Sequence, residues 1–224
     1  AAASNGRVYL AWPYAEGSVR LVCVDQKIAG KDEPPSVVFR SNSTANARGF
    51  PCALAVEGDD MFIGYDCIPA SKDAVSCAIR VADARTGQAI NFPFGKKDIP
   101  LGEWTPEPTM HDDKPLFERV KTGDLGPLQF RGGRIVSFNL IALAVKGDMI
   151  AASLGRQDKV VMYNWKTGEK VKEFSVERPT GLRFEAGGSL VVASGNDLLR
   201  LDSATGKTTP IAAGVLDHPW GIAL

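Results

Sequence analysis

Hydrophobic and polar residues alternate in short runs along the stretch from Ile141 to Lys170. The apolar runs IALAV, MIAASL and KVVMYN are separated by polar turns, and the run KVKEFSV follows the last turn. Runs of about four to eight residues that are rich in Val, Ile and Ala and bounded by Gly, Asp or Asn are typical of β-strands. The pattern therefore predicts four consecutive antiparallel strands within about forty residues, which is the size of one blade of a β-propeller.

The same order of apolar runs and turns recurs along the chain, which is the signature of a repeat architecture. Four sets are visible, at residues 6–40, 50–94, 140–176 and 179–213. The first set offers three strands, with the innermost strand missing, and the other sets offer four. The sequence therefore predicts an all-β fold: a single β-propeller domain with about four visible blades.

A turn of Asp or Asn, two further residues, Thr and Gly follows the third predicted strand in three of the sets. The acidic or amide side chain can accept hydrogen bonds from backbone N–H groups ahead of it, and Gly provides the positive φ that ends such a turn. The three turns begin at Asp83, Asn164 and Asp202. Their agreement makes a chance origin of the repeat improbable.

Two segments depart from the repeat. Residues 95–139 are rich in Pro, Gly and charge, which predicts an insertion over one face of the ring or a degenerate blade. Residues 219–224, PWGIAL, are typical of another first strand. Together with the first set they would form a blade shared between the chain ends, which closes a small ring. The alternative is an arc cut from a larger propeller, whose other blades are removed or are supplied by a partner chain.

The short sequences that open two of the sets resemble a known repeat. Residues 179–182, PTGL, and residues 219–223, PWGIA, are similar to the openings of NHL-repeat propellers, and the Thr-Gly turns resemble those of quinoprotein-like (YVTN-type) bacterial propellers. The resemblance covers most of the chain and implies an architecture rather than a chemistry. Quinoprotein blades usually carry a Trp soon after the turn, whereas this chain has Ala89, Val171 and Thr208 near the equivalent places.

The composition limits the function classes. Lys plus Arg and Asp plus Glu each total 26, so the net charge is zero and a basic nucleic-acid-binding protein is not expected. No apolar run reaches the roughly eighteen residues of a membrane span. Of the four cysteines, Cys67 and Cys77 flank a predicted loop, so a disulfide there is a candidate and would favour an exported (periplasmic or extracellular) protein. Buried thiols are the alternative.

The residues that precede each innermost strand form the candidate binding surface, because the loops of propeller blades converge at the mouth of the central channel. Arginine beside Phe or Trp suits a partner that carries a carboxylate or a sugar face. The candidates are Arg48, Phe50, Arg178, Thr180, Asp217, His218 and Trp220. We therefore expect a rigid binding or scaffolding module that holds a protein or a small polar or carbohydrate ligand at the channel mouth or through the insertion at residues 95–139.

An enzyme is the alternative reading of the same surface. His218 and Asp217 are candidate ligands of a divalent metal in a lyase or hydrolase. The chain has two histidines, so it cannot build the three-histidine zinc site of the NHL-type amidating lyases. It also lacks the GxSxG motif of a nucleophilic serine and the glycine-rich loops that bind phosphate. No cofactor is predicted, and the propeller part of a larger multi-domain enzyme is a third reading.

Overall fold

The regular elements of the protein are β-strands throughout the part of the chain that the structure describes, so the predicted all-β class is confirmed. The structure is a computed structural model. It describes residues 2–4, 6–13, 19–25, 37–43, 50–69, 75–104, 128–131 and 134–216. Within these residues there is no helix long and apolar enough to cross a membrane.

The strands form four antiparallel sheets in chain order, which we label A to D. Sheet A contains β1 (Ala2–Ser4), β2 (Arg7–Pro13), β3 (Val19–Asp25) and β4 (Val37–Ser43). Sheet B contains β5 (Phe50–Glu57), β6 (Asp60–Pro69), β7 (Val75–Asp83), β8 (Ala89–Ile90) and β9 (Asp98–Trp104). A hairpin of β10 (Leu128–Arg131) and β11 (Arg134–Ser137) follows. Sheet C contains β12 (Leu140–Lys146), β13 (Met149–Leu154), β14 (Lys159–Asn164) and β15 (Glu169–Ser175). Sheet D contains β16 (Pro179–Phe184), β17 (Leu190–Ser194), β18 (Asp197–Leu201) and β19 (Thr208–Ala212).

Sheets A and B differ from the sequence-based expectation at their edges. The innermost strand of the first set was expected to be missing, yet β1 pairs with β2 and fills that position. Part of the expected insertion, β9, pairs with β7 and completes the outer edge of sheet B beside the short β8. Pro100 and Gly102 interrupt the sequence pattern of β9, although Ile99 and Leu101 are buried as in an ordinary strand.

The first strands of sheets B, C and D share an irregularity. Each has a register shift near its start, at Cys52, Ile141 and Thr180. One residue of the first strand is left without a partner on the second strand, which is the arrangement of a β-bulge. The common position shows that the three sheets repeat one another in backbone detail as well as in sequence.

Apolar side chains fill the space between successive sheets. One core, around Tyr9, Cys23 and Met61, lies between sheets A and B. A second, around Phe62, Leu140 and Trp165, lies between sheets B and C. A third, around Leu182 and Leu190, lies between sheets C and D. The first strands of neighbouring sheets also contact one another, since β12 packs against both β5 and β16.

The three predicted turns have one conformation. Asp202 Oδ1 accepts hydrogen bonds from the N–H groups of Ala204 and Thr205, at 2.9 and 2.7 Å. Asn164 and Asp83 make the same pair of bonds within their own turns. The closing glycines have φ of 71°, 78° and 77° and donate to the first residue's carbonyl. The predicted role of each turn residue is confirmed.

Candidate functional site

The first strands of sheets B, C and D begin at a common edge of the molecule, which we call the upper edge. Phe50 is paired with Asp66 there. The N–H of Gly155 donates to the carbonyl of Asn139 at 2.7 Å, and the N–H of Gly195 donates to that of Arg178 at 3.4 Å. Phe50, Asn139 and Arg178 therefore occupy equivalent places in the three sheets. The Thr-Gly turns lie at the opposite, lower edge.

Three of the predicted binding residues have a described backbone, and all three lie at the upper edge. Phe50 opens β5, Arg178 directly precedes β16, and Thr180 is the bulge residue of β16. The side chain of Phe50 lies outside the described residues, as do Arg48, Asp217, His218 and Trp220. The structure thus places Arg178 and Thr180 together, and their role in binding stays a prediction.

Arg178 is held in an unusual backbone conformation. Its φ is 39° and that of Asp158 is 51°, and both belong to the left-handed region that non-glycine residues seldom adopt. The two residues are joined, because the N–H of Arg178 donates to Asp158 Oδ1 at 2.8 Å. The Arg178 side chain is 52% exposed, with Nε 3.7 Å from Glu177 Oε1. A fixed backbone therefore presents an accessible guanidinium at the start of β16.

The bonds beside Arg178 explain how this corner of sheet D is kept in place. Thr180 Oγ1 donates to the carbonyl of Ala193 at 3.4 Å, next to the bulge. Ser194 Oγ donates to the carbonyl of Glu177 at 2.5 Å. The N–H of Val176 donates to the carbonyl of Asp158 at 2.9 Å. These contacts link the end of β15 to the turn between β13 and β14, and the start of β16 to the end of β17.

A second polar cluster at the upper edge surrounds Asp66, which is fully buried between sheets B and C. Its Oδ1 accepts from Trp104 Nε1 at 2.9 Å and from Cys77 Sγ at 3.0 Å. Its Oδ2 accepts from the N–H groups of Asn139 and Leu140, at 2.5 and 2.8 Å. A buried carboxylate is tolerated only where such donors replace water. Sequence analysis missed this residue, because an acidic residue within a strand carries no local signal of burial.

Asn139 extends the Asp66 cluster toward sheet C. Its Nδ2 donates to Gln157 Oε1 at 3.2 Å, and its Oδ1 accepts from the N–H of Arg156 at 3.0 Å. Gln157 Nε2 in turn donates to the carbonyl of Glu103 at 3.2 Å. The turn between β13 and β14 is therefore tied both to the end of β9 and to the residue that precedes β12.

The cysteine side chains that the structure describes, Cys23, Cys52 and Cys77, do not form a disulfide. The prediction of a Cys67–Cys77 disulfide is therefore wrong. Cys77 is a free thiol, and it donates to the buried carboxylate of Asp66. The side chain of Cys67 lies outside the described residues. Burial raises the pKa of the Cys23 thiol, which keeps it protonated inside the core between sheets A and B.

The described residues contain no group of three or more His, Cys, Asp or Glu side chains that could hold a metal ion. The candidate metal ligands, Asp217 and His218, lie outside those residues, so a divalent metal there stays a prediction. What the described part of the upper edge offers chemically includes the exposed guanidinium of Arg178, the exposed carboxylate of Glu177 beside it, and a buried hydrogen-bond network.

No family model and no curated protein matches the sequence. Solved structures with distant similarity include the computationally designed Ika4 protein, at 15% identity and a TM-score of 0.43, covering 84% of this chain and 85% of that one. A protein of unknown function from Bacteroides caccae is 11% identical, with a TM-score of 0.47 over 94% of this chain and 62% of that one. A chain of the mitotic checkpoint complex is 10% identical, with a TM-score of 0.46 over 93% and 48%. Similarity at this level identifies neither a family nor an activity.

Proposed function

We propose that the four sheets are blades of a β-propeller and that the protein is a rigid binding module whose ligand contacts the upper edge. The ligand class that this edge fits is an acidic oligosaccharide, which offers a carboxylate to Arg178. Export of the protein is part of the same proposal, since such ligands are found mainly outside the cytoplasm.

The packing of the sheets supports the propeller. Propeller blades are four-stranded antiparallel sheets arranged around an axis, with the first strand of each blade innermost. Here the first strands β5, β12 and β16 are neighbours in that order, and an apolar core separates each pair of successive sheets. Loops that precede first strands then converge on one mouth, where propellers offer a concave surface to ligands.

The conformation of Arg178 is the observation that carries the choice of ligand. Left-handed backbone conformations of non-glycine residues cost about 1–3 kcal/mol each and persist where the surrounding structure enforces them, often at binding sites. Asp158 enforces this one through the hydrogen bond to the Arg178 N–H. The Arg178 backbone is thus held in place, and its planar guanidinium can pair with a carboxylate through two parallel hydrogen bonds. Trp220, which the sequence places before a further innermost strand, would add a face for a sugar ring.

The test compares two arginines of equal exposure at opposite edges. The Arg178 side chain is 52% exposed at the upper edge, and that of Arg200, bonded to Glu185 toward the lower edge, is 50% exposed. Binding to uronic-acid oligosaccharides and to their neutral counterparts is measured by calorimetry for the native chain and for the variants R178Q and R200Q. We expect binding of the acidic series alone, weakened at least about tenfold in R178Q and unchanged in R200Q.

Two results would reject this function. If the native chain binds neither series, or binds both equally, the carboxylate is not what the upper edge recognises. If R200Q weakens binding as much as R178Q does, the ligand lies elsewhere or senses only net charge. Circular dichroism of each variant confirms that the comparison is made between folded proteins.

A further inference from the structure

We propose that Asp66 is the anchor that fixes both ends of the connection between sheets B and C to the upper edge. The connection leaves sheet B after Trp104, the last residue of β9, and rejoins the sheets at Asn139 and Leu140, where β12 begins. The anchor concerns how this connection is attached and holds whether or not the upper edge binds an acidic oligosaccharide.

One carboxylate reaches both attachment points. Its Oδ1 accepts from the indole N–H of Trp104, 38 residues farther along the chain, at 2.9 Å. Its Oδ2 accepts from the backbone N–H groups of Asn139 and Leu140, 73 and 74 residues farther along, at 2.5 and 2.8 Å. The two ends of the connection are thereby held on opposite oxygens of a single buried side chain.

Sheets C and D have no carboxylate at the position equivalent to Asp66. The positions equivalent to Asp66 at the ends of β13 and β17 are Gly155 and Gly195. Sheet C is followed by β16 after only residues 176–178, so that connection requires no side chain to hold its ends together. A buried carboxylate is thus not a requirement of the sheet type. Among sheets B, C and D, as far as the structure describes them, it occurs only in sheet B, which the long connection follows.

Gln157 also joins the two ends of the connection, independently of Asp66. Gln157, in the turn between β13 and β14, accepts from Asn139 Nδ2 and donates to the carbonyl of Glu103. The residues on either side of the connection, Glu103–Trp104 and Asn139–Leu140, are therefore each bound by both Asp66 and Gln157. Phe138 and Trp104, 3% and 7% exposed, bury the attachment in the core between sheets B and C.

A carboxylate suits this site, because its two oxygens accept hydrogen bonds and the four contacts described above are all made by donors. In the variant D66N one oxygen becomes an NH₂ group that faces N–H donors, although size and shape are kept. The substitution should release one or both ends of the connection while the sheets themselves keep their pairing.

The experiment is amide hydrogen exchange by mass spectrometry on the full chain, native and D66N. We expect exchange in the peptides that contain Trp104 and Leu140 to accelerate at least about tenfold, with β17 of sheet D unchanged. Alkylation by iodoacetamide gives a second readout. Cys77, whose thiol bonds to Asp66, should become reactive in D66N, while the buried Cys23 of sheet A stays protected.

The control variant S194A removes a buried hydrogen bond at the same edge, in sheet D, and should leave the connection and Cys77 unaffected. Uniform acceleration in all sheets, or no change at Trp104 and Leu140, would show that Asp66 is not an anchor of this connection. If D66N does not fold, the variant W104F removes the indole N–H donor and leaves a smaller aromatic ring at the buried position. It must then loosen the Trp104 end selectively for the proposal to stand.

Discussion

At the residue scale, two glycines of the Thr-Gly turns pack closely against an aromatic ring of the preceding sheet. A Cβ at Gly168 would lie 2.7–2.9 Å from the ring of Phe94, and one at Gly206 would lie 3.0 Å from Phe174 Cδ1. Both glycines also have positive φ. Glycine is therefore required in these two turns for two reasons: the positive φ of the backbone, and the close packing of one sheet on the next.

The variants G168A and G147A separate these two needs. Gly147 also has positive φ, but a Cβ there would meet nothing within 4 Å. We expect G147A to lose about 1 kcal/mol of unfolding free energy from backbone strain. G168A should lose about 1–3 kcal/mol more, because Phe94 must move. Urea unfolding of both variants measures the difference. Equal losses would mean that the contact with Phe94 is unimportant.

The acidic turn residues predict a pH dependence of stability. Hydrogen bonds from the Arg85 side chain and from the N–H groups of Arg85 and Thr86 lower the pKa of Asp83 to about 2. The N–H groups of Thr205 and Ala204 lower the pKa of Asp202. A carboxyl group with a lower pKa in the folded state stabilises it above its unfolded pKa of about 4. That contribution is lost as the pH falls from about 4 toward 2.

Asn164 shows how to test this dependence, since a neutral amide forms the same turn. In the double variant D83N/D202N we expect a Tm below native at pH 7, because the contribution of the two charged carboxylates is lost, and a smaller fall in Tm between pH 7 and pH 2.5. Differential scanning calorimetry across that range provides the measurement. A double variant that keeps the whole native pH dependence would place its origin in other carboxyl groups.

At the element scale, the sheets are held together by side chains that cross from one face to the next. Phe62 of β6 is fully buried and meets the Trp165 ring of sheet C edge-on, with the centroids 5.0 Å apart. Lys146 Nζ donates to the carbonyls of Glu185 and Ala186 in the first hairpin of sheet D. Apolar packing therefore dominates between the faces, and amines bridge successive sheets at the lower edge.

The variant F62A tests the packing between sheets B and C. We expect it to lose about 3–5 kcal/mol of unfolding free energy, because a large side chain is removed from a closed core. The variant V171A is the control, since Val171 is 47% exposed on β15 and should change stability by less than about 0.5 kcal/mol. A loss below about 1 kcal/mol in F62A would show that the two faces are not closely packed.

The limits of sequence reasoning are also visible in the elements. Sheets C and D follow regular alternation and standard turns, so their strands were placed almost to the residue. Strand β9 was missed because its exposed positions hold Pro100 and Gly102, which are typical of loops, and because β8 separates it in the chain from its pairing partner β7. Strand β1 was missed because AAS has no apolar side chain large enough to mark a buried position.

At the scale of the whole molecule, the binding proposal makes a prediction that separates it from the enzyme alternative. Native mass spectrometry of the 24.0 kDa chain, with and without a chelator, should give the same mass. An increment of one divalent ion that the chelator removes would favour the lyase or hydrolase reading and the ligands Asp217 and His218. The variant H218A, which should then lose the ion, identifies the site.

The sequence by itself determined the all-β class, the order of the sheets and the geometry of the Thr-Gly turns, because strand alternation and turn hydrogen bonds involve residues close together in the chain. The propeller, the ligand and export stay proposals. Only the tertiary structure decided that Cys77 faces a carboxylate rather than another sulfur, and that Asp66 joins Trp104 to Leu140. Those partners are brought together by the packing of separate sheets, which local patterns do not encode.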